Sequence, residues 1–388
     1  MLRNIYIKEM KDILRDRRTL LLSVLLPILL LTGLTLFYEK MMSDDGSETY
    51  TLAISDTAGE EVKELVSGIP NLEVSEYANP GKAVKDGKAH AAIEFSGQFF
   101  ENPEGGEPGT AVIKGDSLSQ NSAYVMSQLE GALNAYSDTL VSERLTAAGL
   151  DPQVTQPIVV QVTEINNEDE NAASVGILAG FLPMVITIAI ASGAYPAASD
   201  LFAGEKDRKT MEALLMTPVS RIKLLFAKWL AISTIGMIAG IVSVAAIVLE
   251  TIFLTEKLKA ALEFGDNTFT IIAVTIVITL LFALFMGALQ MVVSIIAKTV
   301  KEAQNYISPI MMLAIVPTLF LSGVGINELT MKHFLIPFVN IHALINELLH
   351  GSVNMENILL TLASTAISIV LVFIISRSLF LKDKWVLN

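Results

Sequence analysis

Six stretches of this chain contain no charged residue and are each long enough to cross a hydrocarbon core; no other feature limits the possible folds so strongly. A bilayer interior of ~30 Å needs about 20 predominantly apolar residues in helical conformation. Thr19–Tyr38 meets that length and contains ten leucines. At roughly −0.3 to −0.6 kcal/mol per strongly apolar residue, its insertion is favoured by about 4 to 8 kcal/mol. Ser174–Ser199, Trp229–Leu249, Phe269–Ala297, Ala303–Ile326 and Ile358–Ser376 follow, with Pro183, Pro196, Pro309 and Pro317 as expected interruptions. Only 17% of the residues are charged, against about a quarter in a soluble protein, so a single water-soluble globule is excluded. The first run is longer than the apolar core of a signal peptide, and no small-x-small site follows Phe37. It therefore reads as an uncleaved anchor.

Charge is distributed as unevenly as apolarity. The formal net charge is −13, and residues 39–173 hold 7 Lys/Arg against 24 Asp/Glu, leaving the remainder at +4. That acidic block is expected to be a domain of its own outside the bilayer, between spans one and two. An acidic chain is a poor partner for nucleic acid. Cysteine is absent, which excludes disulfides, thiol catalysis and thiolate metal sites. Lys and Arg near span ends set orientation. Arg3, Lys8, Lys11, Arg15, Arg17 and Arg18 precede span one; Lys206, Arg208, Lys209, Arg221, Lys223 and Lys228 lie between spans two and three. Lys298 and Lys301 lie between spans four and five, and Arg377, Lys382 and Lys384 follow span six. In a six-span count all of these fall on one side, expected to be cytoplasmic together with both termini.

Within 39–173 the pattern predicts strands at Tyr50–Ser55, Leu72–Tyr77, His90–Phe95, Thr110–Lys114 and Ile158–Ile165, and helices at Glu60–Val66 and Ser119–Ala147. Asn102–Gly109 reads as a loop and Asn167–Glu170 as a polar linker. No catalytic constellation is present. His90 reads as a satisfied strand residue, and Glu60, Glu61 and Glu64 on one helix face read as solvated surface rather than a cation site. His333, His342 and His350 fall in the 327–357 segment, expected to be re-entrant from the outer side, and read as interfacial rather than metal-binding. Residues 1–18 predict an amphipathic helix carrying Leu2, Ile5, Tyr6, Met10, Ile13 and Leu14, suited to the cytoplasmic interface and lipid contact.

The segment 200–228 holds Glu205-Lys-Asp-Arg-Lys-Thr-Met-Glu-Ala-Leu-Leu-Met-Thr-Pro-Val-Ser220, a short apolar patch between alternating charges, stopped by Thr217-Pro218. By itself it reads equally as a short helix across the cytoplasmic mouth or as a solvated connector. The run resembles the cytoplasmic motif of ABC-2 type transporter permeases, E-[KR]-E-[KR]-G-T-x-E-x-L-x-x-[ST]-P-[VI]. Glu205, Lys206, Arg208, Thr210, Glu212, Leu214, Thr217, Pro218 and Val219 match it, and Asp207 replaces Glu. Lys209 stands where the pattern has Gly, which argues against a sharp backbone turn there. The resemblance covers essentially the whole chain. Thr318–Val324 and Phe334–Asn340 make it most similar to the sodium-extruding NatA–NatB branch of that family.

The resemblance implies an α-helical polytopic membrane protein of six transmembrane helices (19–38 the first, 174–388 the remaining five), with an ABC-2 or type V exporter-like fold. The extracytoplasmic α/β domain is inserted between helices 1 and 2. It further implies a permease, often dimeric, driven by a separate cytoplasmic NatA-like ATPase that binds the ATP and Mg. The motif residues Glu205, Lys206, Arg208, Thr210, Glu212, Leu214, Thr217 and Pro218 would couple to that ATPase. No G-x-x-x-x-G-K-[ST] phosphate loop occurs, and Gly81-Lys82-Ala83 lacks its context, so no ATP site is expected in this chain. No ionisable residue lies at a span centre. A sodium route would therefore use neutral oxygens, for which Thr187, Ser192, Gln290, Ser294 and Asn305 are candidates. The bland alternative is helix–helix hydrogen bonding. Gln290 and Asn305 are expected to face the path between subunits. Export of a drug, lipid or peptide is the competing reading. A membrane-anchored extracytoplasmic sensor needs only one or two spans, and a membrane-embedded hydrolase lacks its paired carboxylates or His/Ser sets.

Overall fold

The computed structural model describes residues 2–43, 49–56, 58, 60–95, 109–155, 172–256, 258–259, 264, 267–321 and 323–382. The chain divides into two compact units, one formed by 1–43 with 165–388 and the other by 44–164.

The first unit opens with helix α1 (Leu2–Arg15), broken at Asp16, and α2 (Arg17–Ser43). The second unit is built on a four-stranded sheet. Its elements are β1 (Tyr50–Ser55), α3 (Glu60–Ser67), β2 (Leu72–Tyr77), α4 (Pro80–Lys85), β3 (Ala91–Phe95), β4 (Ala111–Gly115) and α5 (Gln120–Ala147). Strand order is β2-β1-β3-β4, with β1 parallel to both its neighbours and β4 antiparallel to β3. Side chains alternate across the pleat. Leu52, Ile54, Ala91 and Ile93 therefore join Val62, Val66, Val125 and Leu129 on one face. Ala53 and Ala92 meet Ala83 and Ala89 on the other, where small residues let α4 lie close. His90 accepts a hydrogen bond from the Thr51 amide at 2.9 Å, a satisfied histidine immediately before β3. Asn79 and Ser119 cap α4 and α5. The expected strand at 158–165, the linker at 167–170, most of the 102–109 loop and the side chains of Glu60, Glu61 and Glu64 lie outside the described residues.

The remaining helices are α6 (Ala172–Ser199), α7 (Glu205–Asp207), α8 (Met211–Leu215), α9 (Arg221–Leu254), α10 (Thr268–Ile296), α11 (Val300–Leu313), α12 (Val316–Leu321), α13 (Met331–Leu335), α14 (Val339–Leu349) and α15 (Met355–Phe380). Among the described residues, six helical stretches are long and apolar enough to cross a membrane, one for each expected span. Span two continues through Pro183 and Pro196 as one helix. Span five divides at Ala314–Ile315 into α11 and α12, where Pro317 removes the donor to the Leu313 carbonyl. Helix α9 starts eight residues before the expected span, so Lys228 lies inside it.

Helix α6 is the central rod, burying Ile186, Ile190, Ala191, Ala194 and Ala198. It approaches α9 closely because both carry small residues at the crossing. A Cβ on Gly193 would meet Ala239 Cβ at 2.4 Å, and one on Gly240 would meet Ile190 Cγ1 at 2.7 Å. Gly236 and Gly240 form a G-x-x-x-G pair, which permits such an approach between membrane helices. Sequence reading passed over that pair.

Candidate functional site

The matched motif begins where α6 ends. Asp200–Gly204 is a π-helical segment, a local widening that frequently marks functional positions. Space over Gly204 is taken by Asp200, whose Oδ1 lies 2.1 Å from where a Cβ would stand. Asp200 in turn forms a two-pronged salt bridge with Arg208, at 2.7 and 3.2 Å. That hydrogen bond, with partial burial opposing it, holds the Arg208 guanidinium above its already high ordinary pKa.

The three residues of α7 end in a tight turn. The Thr210 amide donates to the Glu205 carbonyl at 2.8 Å and the Lys209 amide to the Lys206 carbonyl at 2.9 Å. Those two bonds are the paired closure that terminates a helix through a left-handed residue. Lys209 is that residue, with φ of +57°. The sharp turn argued against from the sequence is therefore present, and a lysine occupies the conformation that glycine adopts without strain. Tight packing on both sides imposes it: Glu205 is anchored below and Met211 is buried above.

Beneath the turn lies a buried charge cluster. Lys228 is 0% exposed; its ammonium donates to Glu205 Oε1 at 2.8 Å and to the Leu201 carbonyl at 2.8 Å. Glu9 of α1, 1% exposed, lies 3.3 Å away, and the Phe202 ring centroid lies 5.4 Å from the ammonium. Lys8 closes the rim at 3.2 Å from Glu9 and 3.9 Å from Glu205. Burial pulls the Lys8 pKa down, but Glu9, Glu205 and Asp12 outweigh that and leave it raised. Three elements distant in sequence thus share one desolvated pair set: the N-terminal helix, the motif and α9. Tyr6 adds a hydroxyl contact to Thr234 at 2.9 Å, and Ile5, Tyr6, Met10 and Ile13 pack on the core of the helical unit. The amphipathic helix therefore has Ile5, Tyr6, Met10, Ile13 and Glu9 on the bundle, with Lys11, Asp12 and Arg15 on its exposed side.

The motif residues separate into two groups. Glu205, Lys206, Thr210 and Leu214 are anchors: Lys206 donates to the Ile295 carbonyl at 2.6 Å, Thr210 Oγ1 donates to the Glu205 carbonyl at 3.1 Å, and Leu214 packs on the core. Glu205 and Arg208 were expected to meet a partner. Glu205 instead lies beneath the turn, held by Lys228, and Arg208 is engaged by Asp200. The outward face is Glu212, Met216, Thr217 and Pro218, with Met216 86% exposed. Of the two central residues, Lys228 was read from the sequence only as a counted positive charge, and Glu9 was not singled out. The available signal was periodicity, since Lys228 falls on the buried α9 stripe of Leu224, Leu225 and Ile232.

The expected ion-route residues are scattered. Thr187 donates to the Met184 and Ala314 carbonyls at 2.9 and 3.3 Å, and Ser192 donates to the Ile188 carbonyl at 2.8 Å. Ser294 accepts from the Ala203 amide at 3.2 Å. Gln290 does not face outward as expected. It is fully buried on the α10 stripe of Ala283, Met286 and Gly287, and its Nε2 donates to the Ala191 carbonyl at 2.9 Å. Asn305 is exposed on α11. His342, expected at the interface, is 2% exposed, because it lies on the core-facing side of α14 with Ile341 and Ile345. His333 is half-buried and His350 is exposed.

Residues 3–385 match the family described as "ABC-2 family transporter protein". The chain is 41% identical over 387 residues to "ABC transporter permease protein NatB" of Bacillus subtilis (strain 168), with 100% of each chain covered. The chain belongs to the ABC-2 family of transporter proteins. It is a multi-pass membrane permease, the transport subunit of an ABC transporter, and ATP hydrolysis belongs to a separate ATPase subunit.

Proposed function

We propose that this permease works with a NatA-like ATPase to export sodium ions across the cell membrane, and that it operates as a homodimer. In this reading the motif, α1 and both chain termini are cytoplasmic, and the sheet-containing unit is extracytoplasmic. ATP and Mg bind to the ATPase alone, and the permease itself carries no cofactor. The ATPase seats on Glu212, Met216, Thr217 and Pro218, and closure of the ATPase pair moves the anchored residues beneath them.

One observation carries the reading. The exposed tip belongs to the same short segment as Glu205, and Glu205 is held by Lys228 of α9, which also pairs with Glu9 of α1. A push on the tip is thereby delivered to two membrane-associated helices at once. The choice of sodium is supported by the resemblance to the sodium-extruding branch and by the neutral polar character of the spans. The test is ²²Na⁺ movement in vesicles holding the permease and its ATPase, with ATP on the ATPase side. ATP-dependent sodium transport is expected. If ATP drives only a drug, lipid or peptide, the sodium assignment is refuted, and transport without any bound ATPase refutes the coupling.

A further inference from the structure

Helix α9 does not stop where the uncharged run of the sequence ends. It continues past Leu249 through Glu250 to Leu254, and the stretch apolar enough to cross a membrane includes all of it. The exposed side chains around Glu250 are apolar: Leu249, Phe253 and Leu254 on α9, and Leu29, Leu36 and Phe37 on α2. Hydrocarbon therefore extends past Glu250 toward the ends of both helices. Four residues separate Glu250 from Leu254, roughly 6 Å at 1.5 Å per residue. Ionisable side chains within a span are rare and serve ion or proton chemistry.

A hydroxyl, not a cation, meets this carboxyl. Thr32 of α2 is in hydrogen-bond contact with Glu250 Oε1, and the same hydroxyl lies 3.0 Å from the Ile28 carbonyl. Glu250 Oε2 is buried and has no hydrogen-bond partner. A threonine hydroxyl has one hydrogen, so three oxygens share a single proton donor. Among the described residues no ion pair reaches Glu250. The helices packed on α2 and α9 add no charge: α6 and α10 carry no Asp, Glu, Lys or Arg, and Tyr195 lies at the far end of α6. The titratable groups nearest along the chain are Tyr38, Glu39 and Lys40 on α2, and Glu256 and Lys259 beyond α9. Glu39, about two helical turns beyond Thr32, is met differently. It accepts from the Glu256 and Leu258 amides at 2.7 and 3.1 Å, the donors that suit an ionised carboxylate.

We propose that Glu250 is a proton-binding site inside the bilayer, and that the bound proton fastens α2 to α9. The proton supplies the missing hydrogen: Glu250 donates to Thr32 Oγ1, and Thr32 donates to the Ile28 carbonyl. Loss of that proton to water leaves a carboxylate with one bare oxygen in apolar surroundings, which is costly. Helix α2 then parts from α9 and water reaches the carboxylate. A metal ion would need several oxygen ligands, and one hydroxyl touches this carboxyl. The inference goes beyond the export reading and does not depend on the ion exported.

The chain has no cysteine, so Phe37→Cys and Phe253→Cys, both exposed, place a nitroxide pair across α2 and α9. The experiment measures the spin–spin distance of the full chain in lipid nanodiscs. In parallel, mass spectrometry reads labelling of Glu250 by dicyclohexylcarbodiimide, which attacks protonated carboxyls from the apolar phase. Labelling is expected to fall as the medium is made alkaline, and the distance to lengthen over the same pH range. Glu250→Gln keeps the donor and acceptor of the neutral acid, so it is expected to lose the label and hold the short distance at every pH. Glu39→Gln is expected to leave both responses unchanged. Absence of labelling at every pH, labelling blocked by Na⁺ or K⁺ at constant pH, or the same alkaline lengthening in Glu250→Gln overturns the site. Neither readout uses the ATPase or sodium movement, so failure of sodium export in vesicles refutes the export reading and leaves this site standing.

Discussion

Replacing Lys228 by Met tests whether the buried cluster joins the motif to the membrane helices. Methionine matches the lysine stem in length and apolarity, so packing against Leu224, Leu225 and Phe202 is largely kept and the ammonium alone is lost. Glu205 then loses its 2.8 Å partner and Glu9 its 3.3 Å one, leaving two buried carboxylates with only the half-exposed Lys8. Removing one member of a buried ion pair costs about 3–5 kcal/mol, because the remaining charge is stranded. Taking about 4 kcal/mol, the equilibrium between docked and released α1 shifts by roughly a factor of 10³. Hydrogen–deuterium exchange over residues 2–15 and 205–216 reads that release directly, and a thermal scan in detergent reads the loss of stability. The decisive comparison is the triple variant Lys228→Met, Glu205→Gln, Glu9→Gln. Without stranded charge it is expected to recover most of the lost stability, since an apolar or neutral replacement of a whole buried ion set is often neutral. Stability within about 1 kcal/mol of wild type in the single variant, or a triple variant no better than the single, would refute the reasoning.

Glu212→Lys and Met216→Asp alter exposed positions, so each is expected to change unfolding stability by no more than about 0.5 kcal/mol while abolishing co-purification of the ATPase; retained co-purification moves the docking surface elsewhere. Lys209→Gly relieves the left-handed strain at φ +57° and is expected to stabilise the chain by about 1 kcal/mol, seen as a higher melting temperature with ATPase stimulation unchanged. Gly240→Val forces a side chain into Ile190 and Thr279 on facing helices and is expected to cost at least 1–3 kcal/mol, measured by thermal unfolding in detergent.

The spans were legible because a membrane helix must satisfy its own backbone and be apolar along its whole length, a requirement written locally in each uncharged run. The strands at 50–55, 72–77 and 91–95 were legible for a related reason, since burial on a pleat repeats every second residue. The motif was legible as a string of residues. Its division into anchors and tip was not, because the burial of Glu205 depends on Lys228, 23 residues away, and on Glu9, 196 residues away.

Hydropathy and charge are properties of contiguous residues, so the sequence alone marks six stretches long and apolar enough to cross a membrane and a second, acidic unit. Which charges are desolvated and which polar atoms are left without partners depends on how the helices pack. Lys228 and Arg221 are both basic residues near one end of α9, and His342 and His350 are two histidines of one segment. What separates a buried pivot from a half-exposed surface cation, or a ring sealed in the core from a ring in solvent, is the set of neighbours that helix packing brings within 4 Å, and that set is assembled from distant parts of the chain.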